Sequence, residues 1–115
     1  MLLVNPILKQ FKTLAKNERD FAIHFGPVAS GDEDIMSESR KKELVNQTGA
    51  IAVAWEGAGG ARACRFNNIP FTEVRGICDS ADHNAEKDFF SNLELVMSHL
   101  AEVTIDWILN LKSKP

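Results

Sequence analysis

Two carboxylates in this sequence are spaced for acid–base work. Glu56 closes the apolar run Ala50-Ile51-Ala52-Val53-Ala54-Trp55, and Asp79 closes Pro70-Phe71-Thr72-Glu73-Val74-Arg75-Gly76-Ile77-Cys78. If the residues between them form an ordinary crossover, the two runs are neighbouring strands and both carboxyls face one crevice. Breaking a bond to the anomeric carbon of a sugar needs a proton donor for the leaving group. It also gains from sugar hydroxyls held by contacts that strengthen as the oxocarbenium-like state forms. One acid as donor and one as hydroxyl acceptor meet both needs. Acids also end strands and cap helices for structural reasons, so spacing alone leaves that reading open. The small-residue run Gly57-Ala58-Gly59-Gly60-Ala61 suits a helix start with accessible N–H groups, and close packing of helix on sheet explains it equally well.

Other chemistries find less support. Cys64 and Cys78 form no CxxC pair, and His24, His83 and His99 are scattered. Asp79, Asp82 and His83 are near one another but lack the paired spacing of a structural zinc site, so neither metal nor cofactor is expected. His83, in the polar turn Asp82-His83-Asn84, reads as a solvated loop residue. A formal net charge of -3 with 25% charged residues provides no basic footprint for nucleic acid and no polybasic membrane anchor. The apolar opening Met1-Leu2-Leu3-Val4 is broken by Asn5-Pro6 and is too short for a signal peptide or a bilayer span, which points to the cytoplasm.

The elements that must position the two acids alternate in type. Pro6 to Lys16 carries Ile7, Leu8, Phe11 and Leu14 at helical spacing, with proline tolerated in a first turn. Phe21 to Phe25 reads as a strand running into the Gly26-Pro27 bend, and Val28 to Asp32 as a second extended piece. Ser37 can cap a mostly charged surface helix reaching Gln47, which Gly49 ends. Ala50 to Trp55 has the continuous apolarity of a strand covered on both faces, and Pro70 to Cys78 reads as another strand. Asn84 is a candidate cap for a long final helix with Phe89, Leu93, Val96, Leu100, Val103, Trp107 and Leu111 at spacings of three and four, a core stripe rather than a cofactor site. Strands alternating with helices predict an α/β fold in one domain over residues 1–115.

The order of these residues is recognisable. Ala50 to Ala58, followed by Ile69 to Asp82 with Pro70-Phe71, Arg75, Asp79 and Ala81-Asp82, resembles the bacterial methylthioadenosine/S-adenosylhomocysteine nucleosidases of the nucleoside phosphorylase superfamily. Gly26 to Asp32 is similar to the segment of that family leading into its base pocket. The likeness spans about Phe21 to Leu111, leaving residues 1–20 as a helix outside it. It implies a partial three-layer α/β/α fold with a mixed sheet flanked by helices, the C-terminal half of the family pattern, acting on a small-molecule purine nucleoside by hydrolysis. Carried over by position, Glu56 binds the ribose 2′ and 3′ hydroxyls and Trp55 packs on the sugar in place of a methionine. Asp79 is the general acid to purine N7, protonated while substrate is bound as a water-poor pocket favours. Arg75 helps position the attacking water, and the Ile35 backbone meets the purine edge.

The departures from the family pattern are specific. Ala54 stands where many relatives have an acid, and Asp34 where an aromatic ring stacks on the base. Cys78 takes the place of a serine beside the substrate, where it can equally serve as a small buried apolar residue. The N-terminal half of the family pattern, with its glycine-rich segment and water-activating glutamate, has no counterpart before Phe21. The chain alone is therefore expected to be a poor catalyst. Surface left open by the absent strands is expected to be apolar and to drive homo-oligomerisation, as a dimer in the family manner. Phosphorolysis is the enzymatic rival to hydrolysis, and a non-catalytic nucleoside-binding or assembly module is the rival from another class.

Overall fold

A computed structural model describes residues 6–112; the expectation for Met1 to Val4 lies outside them. Six elements follow one another: α1 (Pro6–Leu14), β1 (Val28–Ser30), α2 (Glu38–Thr48), β2 (Ala52–Ala54), α3 (Gly57–Phe66) and α4 (Ala85–Lys112). The alternation of helix and strand is that of the predicted α/β class. β1 and β2 pair in parallel, with Val28 opposite Ala52 and Ser30 opposite Ala54. The ladder is extended at both ends by Ile51 N–H to the Pro27 carbonyl (2.9 Å) and Gly31 N–H to the Ala54 carbonyl (3.1 Å). The βαβ unit is therefore β1–α2–β2, with α2 as the crossover helix that parallel pairing demands.

Local chemistry explains the helix limits. The Ser37 hydroxyl accepts from Arg40 N–H, and Gly49 sits in the left-handed region at φ 66° while its N–H reaches the Val45 carbonyl. These are the start and stop signals seen in the sequence. Only Leu44 and Val45 are large and apolar in α2, and no residue of it is buried. α3 runs on past Ala61 to Phe66, whereas α1 stops two residues short of Lys16.

Two predicted strands are absent as strands. Residues 21–25 and 70–78 have no ladder partner, so among the described residues the sheet has two strands, both parallel. Strand pairing needs a second edge with free N–H and C=O groups, and an apolar run does not supply it. Phe21 instead stacks on His99 of α4, with centroids 4.2 Å apart. Asp79 consequently ends an unpaired stretch of chain rather than a strand beside β2.

The buried apolar side chains fall into two knots. Phe11 and Leu14 of α1 meet the level of Val103 in α4, where Phe11 also stacks on Trp107 at 5.1 Å and Trp107 Nε1 donates to Gln10 Oε1 (3.0 Å). Trp107 thus belongs to the packing, as its periodic placement predicts. Arg19, its side chain 4% exposed, pairs with Glu102 and with Asp106 (2.6 Å) on the same helix. Ile35 and Ala54 form the second knot, beside the sheet. Elsewhere large apolar side chains face outward, including Phe66, Phe90 and Ile77. No helix among the described residues is long and apolar enough to cross a membrane.

Candidate active site

The C-terminal end of β2 opens into a wide cleft of about 890 Å³. Parallel strands deliver side chains to a crevice at this end, and Trp55 and Glu56 arrive there directly from β2. The stretch after α3 brings Arg75, Cys78 and Asp79 to the same cleft, and the loop before α2 brings Ile35. All six residues singled out in the sequence therefore line one cavity, although only two reach it from a strand. Asp34, standing where the resemblance puts an aromatic ring, lines it too, as do Phe89 and Phe90 from the start of α4. Among the described residues no group of three or more His, Cys, Asp or Glu side chains is placed to hold a metal.

The segment carrying Asp79 is fastened without a ladder. Asp79 Oδ1 accepts from Ala81 N–H (2.8 Å), closing a local turn in which Ala81 takes the left-handed region at φ 52°. Asp82 Oδ1 repeats the device with Asn84 N–H (2.9 Å). From α2, Lys41 Nζ donates to the Ser80 carbonyl (3.0 Å), and from α4, Asn92 Nδ2 donates to the Cys78 carbonyl (3.0 Å). Side chains from two helices thus replace the backbone bonds that a neighbouring strand would have provided. A non-glycine residue such as Ala81 held at positive φ is costly, and such conformations persist where surrounding bonds over-determine them.

Charge in the cleft centres on Arg75. Its Nη2 donates to Glu56 and its Nε to Glu73, so one guanidinium bridges two carboxylates. The Glu56 carboxyl is held below the usual carboxylate range, first by the Arg75 hydrogen bond and then by its own backbone N–H. It is therefore an acceptor at neutral pH, as a group that receives hydroxyl protons must be. The Cys78 thiol is pushed up by burial and by the neighbouring Asp79 charge, which suits a small apolar wall more than a nucleophile.

Of the two readings of the small residues that open α3, the structure shows close packing of the helix on the sheet. Ala58 N–H donates to the Ser30 hydroxyl of β1 (2.9 Å), which docks the helix on the sheet. Glu73 lies against Gly57, in space that a Cβ there would occupy. Glu73 was not among the residues picked out by type and spacing. Its signal was present: Glu73 and Arg75 are two apart in an extended segment, so their side chains share one side.

A profile of the phosphorylase superfamily matches residues 4–108. The chain belongs to the phosphorylase superfamily. The matched stretch takes in α1 as well as the cleft. Among superfamily members, the aminodeoxyfutalosine nucleosidase of Helicobacter pylori strain J99 is 40% identical over 78 residues, which are 68% of this chain and 34% of that protein. The 5'-methylthioadenosine/S-adenosylhomocysteine nucleosidase of Exiguobacterium sp. is 30% identical over 95 residues, 82% of this chain and 41% of its own. The crystal structure of the Helicobacter pylori 5'-methylthioadenosine/S-adenosylhomocysteine nucleosidase with butyl-thio-DADMe-Immucillin-A superimposes with a TM-score of 0.83 at 32% identity. That superposition covers 91% of this chain and 45% of the solved one. The chain thus spans between about a third and just under half the length of these superfamily members, and the fold resemblance includes the segments that line the cleft.

Proposed function

We propose that this chain supplies the sugar-binding and proton-donating side of a purine nucleosidase that hydrolyses the N-glycosidic bond of an adenine nucleoside. The observation that carries the reading is the convergence of Glu56, Arg75 and Asp79 on one cleft in a chain whose relatives are nucleosidases. In this mechanism Glu56 accepts hydrogen bonds from the ribose 2′ and 3′ hydroxyls, and Trp55 packs on the sugar. The C1′–N9 bond breaks with its electron pair moving to the purine, and Asp79 gives a proton to N7 so that a neutral base departs. Water adds its oxygen to C1′ and loses a proton, which restores Asp79. Arg75 engages Glu56 and Glu73, and its Nη1 remains to orient that water. The Ile35 backbone meets the purine edge, and Cys78 forms part of the wall.

The large outward-facing apolar residues support self-association, which we read as a homodimer. The alternative reading is a nucleoside-binding module without turnover. Calorimetry with adenosine, together with assay of adenine release with and without phosphate, separates the readings. Release that needs no phosphate supports the nucleosidase, and release only with phosphate makes it a phosphorylase. Binding without release supports the module, and absence of binding removes all three.

A further inference from the structure

Glu73 lies outside every role assigned above, yet it is the less exposed of the two carboxylates that Arg75 bridges. Its side chain is 18% exposed against 69% for Glu56. Arg75 donates to Glu73 through Nε and to Glu56 through Nη2, so fixing the first bond sets the direction of the second, because the guanidinium is planar and rigid. Glu73 is itself fixed by packing. A Cβ on Gly57 would overlap Glu73 Oε2 and stand 2.9 Å from its Cδ, so the bare backbone of the first α3 residue is what lets the carboxylate lie there. The N-terminal end of a helix also favours negative charge.

We infer that Glu73 is a positioning residue: seated on Gly57, it aims Arg75 at Glu56 and so pre-orients the carboxylate that receives the sugar hydroxyls. The inference deepens the nucleosidase reading and rests on it for the identity of the ligand. Pre-orientation lowers the ordering cost of binding without a direct contact to the ligand. The effect of Glu73 should therefore depend on whether the ligand has hydroxyls for Glu56 to hold. Gly57→Ala displaces Glu73 without altering any charge, and alanine is the better helix former, so loss of the helix does not explain its effect.

The test compares adenosine with 2′,3′-dideoxyadenosine by calorimetry on the full chain, Glu73→Gln and Gly57→Ala. Both variants are expected to weaken adenosine roughly tenfold and to leave dideoxyadenosine unchanged. Equal weakening of the two ligands, or of neither, overturns the assignment. If the unaltered chain binds neither nucleoside, the nucleosidase reading fails by itself, and a ligand-free measurement decides the role of Glu73. That measurement is the Glu56 carboxyl titration followed by carbon NMR. Release of Arg75 in Glu73→Gln is expected to raise the Glu56 midpoint toward its ordinary value. A midpoint that stays in place, or falls because one competing carboxylate has gone, overturns the inference.

Discussion

Arg75 Nη2 hydrogen-bonds the Glu56 carboxylate, and this one ion pair joins the end of β2 to a stretch of chain that has no strand partner. The two groups meet inside the cleft rather than at a remote surface. Glu56 is thereby kept ionised and directed, and nineteen residues separate the partners in sequence.

The pH dependence of Glu56 follows from this pair. Its folded pKa is depressed below the ordinary 4.5, so the carboxylate form is present above the ordinary value and is lost only as pH falls through the lower, folded one. Sugar-dependent binding of adenosine is expected to survive down through pH 4.5. In Arg75→Gln the loss moves back up toward that value. A Glu56 titration that Arg75→Gln leaves unmoved contradicts the coupling.

Asp79→Asn separates chemistry from scaffolding. The amide keeps an oxygen at Oδ1 to accept from Ala81 N–H, so thermal unfolding should stay within about 0.5 kcal/mol of the unaltered chain. Adenine release is expected to fall by on the order of a hundredfold or more, the usual worth of a general acid. Asp79→Ala should in addition lose about 1 kcal/mol of stability with the turn. Equal release from the Asn variant and the unaltered chain excludes Asp79 as the acid.

The Arg19 bridge tests the packing of α1 on α4. Arg19 is nearly buried while Glu102 and Asp106 remain part exposed, and its Nε has no partner among the described residues. Arg19→Met should cost about 2 kcal/mol in urea titration, since it strands neither partner away from water. Glu102→Gln alone should cost under about 1 kcal/mol. The reverse order of these effects would show that the guanidinium is not the anchor.

Gly49→Ala is expected to destabilise by about 1 kcal/mol, because the left-handed backbone at φ 66° favours a residue without Cβ. Ser37→Ala should lose a similar amount, about 1 kcal/mol, with the N-cap. Neither residue lines the cleft, so nucleoside affinity at low temperature should be retained in both.

How much of this was legible beforehand depends on the range of the interaction concerned. Ser37, Gly49 and the α4 periodicity act within a few residues, and each placed its helix correctly. Residues 70–78 show where local reasoning stops: Phe71, Val74 and Ile77 resemble strand residues, but a strand exists only where another edge accepts its hydrogen bonds. Glu56 and Asp79 reach one cleft even though the predicted strand pair is absent, since Lys41 and Asn92 hold the Asp79 segment instead. Glu73 escaped notice because its importance lies in contact with Gly57, across a helix whose docking no spacing rule reveals.

Helix α4 runs 28 residues, about 42 Å of rigid rod, and moors structures at both extremities. Asn92 near its beginning steadies the turn behind the cleft, while Glu102, Asp106 and Trp107 near its finish fasten Arg19 and α1. Melting the rod along its whole length releases both extremities at once. The cleft and the N-terminal helix should therefore unravel together when the whole helix melts.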